Sequence, residues 1–386
     1  MTTAALDVTS LPFDTDDMLA GLRGWVECES PTWDADAVNR MLDHASRELA
    51  AMGARIERVP GAREPSGVMM GGMLRARLPH PRMGEPGITI MGHVDTVHPV
   101  GTLAVNPFRI EGDKAYGPGI CDMKGGNYLA LEALRQLARA GIETPLPVTV
   151  LFTPDEEIGS PTSRALIKAE AARARYVLVP EPGLQGGGVT TGRFAIARYN
   201  LKTTGKPSHA GARLSEGRSA IREMCKRILQ IEEMTTESCT FSVGVLHAGQ
   251  WVNCVSSVAH AEALSMSKRQ EDLDQGVAAM LALSDPDTGF QVTRGLTRPV
   301  WEPSAETLEL AAMAERLHTA VGMGFSHKSQ GGGSDGNFTG AMGIATLDGL
   351  GVEGSGIHTL QEAIDIPSLA RRARVFAGLL AGLGRG

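Results

Sequence analysis

Several features are missing from the 386-residue sequence, and each absence excludes something. None of the five cysteines (Cys28, Cys121, Cys225, Cys239, Cys254) stands in a C-x-x-C pair, and their number is odd. That excludes a disulfide frame and a thiolate zinc site, and predicts reduced thiols in a cytoplasmic protein. No apolar run approaches the ~18 residues that a bilayer crossing takes, so no membrane span is expected. Residues 1–14 have neither the basic region nor the apolar region of a secretory signal, which predicts none. Basic residues are in deficit, 37 against 44 acidic, for a formal net charge of −7. With no basic blocks either, neither nucleic acid nor an anionic membrane is the expected partner. Internal repeats and low-complexity segments are absent as well.

The remaining composition is that of an ordinary globular chain, long enough for two domains. Apolar residues recur at helical spacing over 16–27 and 35–52. Three short, continuously apolar runs follow, at 87–91, 147–152 and 175–179, and read as buried strands of a mostly parallel sheet. Between the first two, 123–140 has one apolar face and reads as a crossover helix. After Gly188 the pattern changes to strand, helix, strand, strand, helix, a small α+β insert; helix–strand alternation resumes near residue 300. The expected architecture is a mixed, mostly parallel α/β domain flanked by helices (1–193 and 300–386), interrupted by a smaller α+β, ferredoxin-like domain at 194–299.

Chemistry-bearing residues cluster where strands end. Gly92-His93-Val94-Asp95 follows the first run, Asp155-Glu156-Glu157 the second and Glu181-Pro182 the third. Residues 343–347 form a fourth strand, which leads to Gly356-Ile357-His358. In open α/β sheets the functional crevice lies beyond the carboxyl ends of the strands, so four such exits would converge. Each piece alone has an ordinary explanation. Asp122 at a helix mouth reads as an N-cap, Glu156-Glu157 as a solvated turn, and His209 as a polar loop histidine. Adjacent glutamates leaving a buried strand can instead divide labour, one binding metal and the other moving protons.

Together these segments resemble the M20 family of co-catalytic metallohydrolases, its glutamate carboxypeptidase-like branch above all. The carrying motifs are Gly92-His93-Val94-Asp95-Thr96, Gly119-Ile-Cys-Asp122-Met-Lys-Gly-Gly126, Asp155-Glu156-Glu157-Ile-Gly159, Glu181-Pro182, Ser208-His209-Ala-Gly211, Gly332-Gly-Ser334-Asp335 and Gly356-Ile-His358. The resemblance implies two divalent ions, zinc with manganese or cobalt compatible: one held by His93 and Glu181, the other by Glu157 and His358, with Asp122 between them. It further implies that Asp95 orients His93 and that Glu156 is the general base. His209 would polarise the scissile carbonyl, and a cis peptide would follow Asp122. It also implies a homodimer built by the inserted domain, and substrate contacts from Asn253, Gly332 and Ser334.

One position departs from the family pattern. Relatives place an Arg that grips the substrate carboxylate where this chain has Met266, and a thioether cannot replace a bidentate guanidinium. Lys268, Arg269, Arg193, Arg198, Arg213 and Arg294 are candidate replacements; alternatively, the Met meets an apolar or aromatic group. The expected reaction is hydrolysis of a C–N bond by a metal-activated water, in an N-acyl amino acid or small peptide. Two alternatives stand beside it. One is hydrolytic deamination of a carboxylated aromatic amine, as in the family's nitroanthranilate branch. The other is a degenerate, non-catalytic binding protein, which would have lost ligand or base positions that this chain retains.

Overall fold

Continuously apolar strands form where a sheet is covered on both faces, and that is how this sheet is built. The structure, a computed structural model, describes residues 6–385; the outermost positions of the expected first domain, 1–5 and 386, lie outside the described residues. The chain divides into two compact units. One comprises Met1–Gly192, Glu302–Ser329 and Ser334–Gly386, the other Arg193–Trp301 and Gln330–Gly333.

The first unit begins with α1 (Thr15–Glu27) and α2 (Ala35–Ala51). The Asp14 carboxylate accepts from the Asp16 and Asp17 N–H groups and caps α1, while Asp34 caps α2 through Ala37. The chain continues through β1 (Arg55–Val59), β2 (Met73–Arg77), β3 (Gly87–His93), β4 (Arg109–Glu111), β5 (Lys114–Tyr116), α3 (Gly125–Arg139), β6 (Val148–Thr153), α4 (Arg164–Ala171), β7 (Ala174–Leu178) and β8 (Val189–Arg193). The main sheet has the order β1-β2-β6-β3-β7, extended by a later strand beside β7. Strand β3 pairs parallel with both β6 and β7, so the carboxyl ends of these three strands share one edge. Alternate residues go to opposite layers. Ile88, Ile90, Val148, Val150 and Leu178 face the larger core with α1, α2 and α3, whereas Met91, Leu151 and Val177 meet Ile167 and Ala171 of α4.

The second unit holds β9 (Ala195–Thr204), α5 (Ala220–Glu233), β10 (Cys239–Ala248), β11 (Val258–Ser267), α6 (Gln270–Ala282) and β12 (Phe290–Arg298). Its sheet order is β10-β11-β9-β12, antiparallel throughout. This is the ferredoxin-like arrangement of a βαββαβ unit. Ala197, Tyr199, Leu201, Ala259, Ala261 and Ala263 form one face, packed with Met224 and Ile231 of α5 and Leu273, Val277 and Met280 of α6. Arg193 and Trp301, the first and last residues of the long segment, exchange two backbone hydrogen bonds of 2.9 Å each.

The first unit then resumes with α7 (Ala305–Ala320), β13 (His327–Gln330), α8 (Gly336–Ala341), β14 (Ala345–Leu347), β15 (Gly354–Ser355), β16 (Ala363–Asp365) and α9 (Ile366–Gly382). Strand β14 adds parallel to β7, and Phe338 of α8 completes the α4 layer. Strand β16 pairs antiparallel with β5, Ala363 opposite Tyr116.

Among the described residues, nine strands lay outside the sequence expectation: β1, β2, β4, β5, β8, β12, β13, β15 and β16. Strand β1 is the sheet edge with β2 beside it, and the two carry Glu57, Arg75 and Arg77, which pair with one another. Charged strands at or beside an edge lack the apolar run that identifies a central strand. Strand β12 buries only Phe290, Val292 and Arg298, and its register slips between Arg294 and Thr297. The crossover helix begins at Gly125, not residue 123, and no side chain caps it, so Asp122 is not its N-cap. Among the described residues, no helix is long and apolar enough to cross a membrane.

Candidate metal centre

Strand β3 delivers His93 as its last residue, fully buried. Its Nδ1 lies 2.9 Å from the Asp95 carbonyl oxygen and 3.4 Å from Asp95 Oδ1. Both neighbours are acceptors, so Nδ1 carries a proton and Nε2 is left to face the centre. The carbonyl is thus the nearer partner of the ring. The Asp95 carboxylate has other work: its oxygens accept from the Glu156 and Glu157 N–H groups (3.2 and 3.3 Å) and from the Thr32 hydroxyl (2.8 Å). Asn127 of α3 donates to the His93 carbonyl at 2.6 Å, fixing the end of the strand.

Asp122 lies in the turn between β5 and α3, where Gly119 is left-handed (φ 68°) and Asp122 and Met123 leave helical angles. The Asp122–Met123 peptide is cis, as the family resemblance implied. This turn presents each carboxylate oxygen to a different histidine. Oδ1 is 3.1 Å from His93 Nε2, and Oδ2 is 3.3 Å from His358 Nε2. On the first side stands Glu181, just past β7, with Oε1 3.7 Å from His93 Nε2. On the second stands Glu157, just past β6, with Oε2 3.0 Å from His358 Nε2. His358 itself has a positive φ of 64°. The five proposed ligands therefore meet as two histidine–carboxylate pairs sharing one aspartate.

The donor set fits metal ions. Two ligands about 2.1 Å from a tetrahedral ion lie about 3.4 Å apart. The four nitrogen–oxygen separations, from 3.0 to 3.7 Å, bracket that value. One donor atom each from His93, Asp122 and Glu157 falls within a 4.8 Å cluster, and so does one each from His93, Glu156 and Glu181. Glu156 thus lies beside the His93 side of the centre.

Electrostatics agree with cation-accepting chemistry. Burial disfavours the His93 cation, but hydrogen bonds to Asp122 and Asp95 outweigh it and hold the imidazole well above its ordinary pKa. Hydrogen bonds to Asp122 and Glu157 push His358 up to about 10. Burial raises Glu181 strongly, with the Asp122 charge adding to it, and burial also raises Glu157 against the pull of His358. Asp122 is held below the usual carboxylate range, because the His358 and His93 hydrogen bonds exceed the cost of its burial. The raised histidines and the lowered Asp122 thus favour imidazolium–carboxylate pairing in the metal-free site.

The other expected residues belong elsewhere. His209 is an exposed loop residue of the second unit whose Nδ1 accepts from the Gly211 and Ala212 N–H groups (3.2 and 3.1 Å). Its proton therefore sits on Nε2, as an outward N–H donor. Asn253 is exposed beside it, and its carbonyl accepts from the Ala210 N–H at 3.0 Å. Half-buried Met266 lies on the face of β11 away from the helices, opposite Ile196 and Thr240. A side chain built on Gly331 would meet Met266 Sδ at 3.2 Å and the Phe194 ring at 3.5 Å. The Gly332 carbonyl accepts from Arg193 at 2.9 Å. Ser334 is fully buried, donating to Asp348 at 2.6 Å and accepting from the Gly336 N–H at 3.0 Å, so its hydroxyl faces inward.

Sequence reasoning missed Thr32, Asn127, Arg298 and Glu362. Arg298, almost wholly buried, lies against Gly333, where an added Cβ would meet its Cδ at 2.8 Å. None of the four belongs to a spacing pattern; their partners lie between 34 and 243 residues away in sequence or across a loop.

The sequence profile described as Peptidase family M20/M25/M40 matches residues 89–382. Among curated proteins, carboxypeptidase G2 of Pseudomonas sp. (strain RS-16) is 33% identical over 373 residues, covering 94% of this chain and 88% of that one. The succinyl-diaminopimelate desuccinylase of Acinetobacter baylyi is 26% identical over 321 residues, covering 77% and 83%. Among solved structures, the aminopeptidase PepT of Bacillus cereus superposes with a TM-score of 0.73 at 23% identity, covering 95% and 98%.

Proposed function

The chain belongs to peptidase family M20/M25/M40, and from that premise we propose that it is a two-metal hydrolase cleaving the C–N bond of an N-acyl amino acid or small peptide. The observation that carries this reading is Asp122, whose two oxygens face two separate histidine–carboxylate pairs. His93 and Glu181 would hold one ion, Glu157 and His358 the other, with Asp122 shared. Mixed nitrogen and oxygen donors suit zinc, and manganese or cobalt in similar geometry. Bound there, the ions supply Lewis-acid charge, which makes water nucleophilic at neutral pH and stabilises a developing oxyanion.

Side chains do the remaining work. Glu156 takes a proton from the attacking water and returns it to the leaving nitrogen. Asp95 holds the His93 ring through its carbonyl and the Glu156–Glu157 backbone through its carboxylate. His209, with Nε2–H outward, supplies a donor for the scissile carbonyl. Asn253 and the Gly332 backbone contact substrate; for Ser334, whose hydroxyl is turned inward, only backbone contact is proposed.

A second reading, deamination of a carboxylated aromatic amine, is favoured by one observation: Met266 and Phe194 lie beside Gly331 and Ile196 beside Gly333, apolar groups bordered by the cations of Arg298 and Lys268. The two readings separate by product. N-acyl amino acids, dipeptides and aromatic amines should be assayed with Zn²⁺ and with Mn²⁺, following amino acid and ammonia separately. Amino acid release supports the amide reading; ammonia from an aromatic amine alone replaces it. Met266→Arg tests the apolar groups directly. It should lower kcat/KM on the native substrate about 10–200-fold, the range for a mismatched apolar pocket. An unchanged value would take Met266 out of the substrate site.

A homodimer through the inserted unit is part of the proposal. Strand β10 is a sheet edge that exposes Val245 and Leu246, and Ile221 and Leu229 of α5 are exposed as well. An open edge with apolar neighbours favours pairing with a second copy. The five cysteines are all free thiols, which supports a reducing, cytoplasmic setting.

A further inference from the structure

The turn that carries Asp122 cannot satisfy its own backbone. Gly119 is left-handed and Asp122 is non-helical, so the N–H groups of residues 119, 121 and 122 have no regular ladder to join. All three point at one carboxylate from far along the chain. Glu362 Oε2 accepts from Gly119 (3.0 Å), and Oε1 accepts from Cys121 (2.8 Å) and Asp122 (2.9 Å). A fourth donor, His98 Nε2, reaches Oε2 at 2.8 Å. Both side chains are buried, Glu362 almost completely. A buried carboxylate with four donors is firmly held, and so is whatever it holds.

The position of Glu362 in the chain gives the arrangement its use. It directly precedes β16, which pairs with β5, the strand leading into the Asp122 turn. Its own N–H donates to the Thr359 carbonyl at 3.2 Å, in the turn that begins at Gly356 and contains His358. Its carbonyl accepts from the Gly117 N–H at 3.3 Å. One residue therefore ties the backbone of the Asp122 turn to that of the His358 turn. Those two turns supply the 3.3 Å pair of one side of the centre.

We infer that Glu362, braced by His98, is a positioning residue that sets the spacing of Asp122 and His358 for metal binding. The inference rests on Asp122 being the shared ligand. Asp95 performs a comparable task, its carboxylate accepting from the backbone N–H groups of Glu156 and Glu157. A glutamine at position 362 keeps the shape but brings an N–H against an N–H. If its amide nitrogen faces His98, the imidazole can adapt by changing tautomer, but the Gly119 N–H loses its acceptor. If it faces the other way, the Cys121 and Asp122 N–H groups lose theirs.

The test is a metal titration of stripped wild type and Glu362→Gln with Zn²⁺, against a chromophoric chelator, together with visible spectra of the Co²⁺ forms. Loss of an outer partner typically costs about 10–100-fold in metal affinity. One equivalent should weaken by that factor, the Co²⁺ spectrum should shift, and at saturating Zn²⁺ kcat should fall with KM little changed. Two equivalents bound as in wild type, with the same spectrum, would overturn the inference while leaving the metal centre standing. A wild type that takes up no metal would overturn both. Should Glu362→Gln not fold, His98→Ala gives the same comparison with a smaller shift: weakened binding supports the inference and unchanged binding overturns it.

Discussion

Glu156→Gln should reduce kcat by roughly 10²–10⁴-fold, the contribution of a positioned general base, while the metal content stays as in wild type. The amide has the shape of the carboxylate but cannot accept the proton of the attacking water. The five proposed ligands are untouched by the change, and the Glu156 N–H that donates to Asp95 at 3.2 Å belongs to the backbone. The measurement pairs turnover at saturating metal with the metal-to-protein ratio. Turnover near wild type would remove Glu156 as the base. Loss of one metal equivalent would instead make it a ligand, an outcome given weight by its place in a cluster with His93 and Glu181.

Stripping the metal should abolish turnover and leave a fold whose stability depends on pH in a stated direction. In the metal-free site His358 has its pKa pushed up to about 10, from an ordinary value of about 6.5. A group raised in the folded state contributes its full stability below the unfolded value and loses it as pH rises through the folded one. The metal-free protein should therefore weaken between pH ~6.5 and ~10. The raised Glu181 carboxyl acts in the same sense, since ionising it inside the protein is unfavourable. Metal binding runs the other way: an ion must displace the imidazolium protons, so its affinity grows with pH. The thermal midpoints of the metal-loaded and stripped proteins should separate as pH rises. At neutral pH and a free-metal concentration of 100 Kd, one site adds about 2.7 kcal/mol. Midpoints that stay parallel across this range, or metal uptake without proton release, would contradict the imidazolium–carboxylate pairing.

The grouping of the proposed ligands was legible in the sequence because most of them stand at strand ends. A buried strand is the clearest local signal a sequence carries, and β3, β6 and β7 each announce the side chain that follows them. His93, Glu157 and Glu181 thus fall along one edge from the strand pattern alone. Asp122 was harder, since an aspartate ahead of a helix has an ordinary explanation that proved incorrect: α3 begins three residues later. Strands β1 and β2 were hidden by their charges, and β12 by its bulge. Glu362 and Arg298 had no local signal at all. Their contacts depend on residues brought close by folding, and no periodicity records a hydrogen bond spanning 240 residues.

The paired backbone bonds between Arg193 and Trp301 bear on how such a protein can be assembled in evolution and in the laboratory. A segment of more than a hundred residues leaves the strand at one point and returns beside it, as a hairpin loop would. Its ends lie no farther apart than two neighbouring strand residues, about 5.5 Å. A host that tolerates a short turn there can tolerate a whole domain, because nothing has to be rethreaded. The same join is where a different insert could be grafted, with Gln330–Gly333 of the same compact unit left in the host chain.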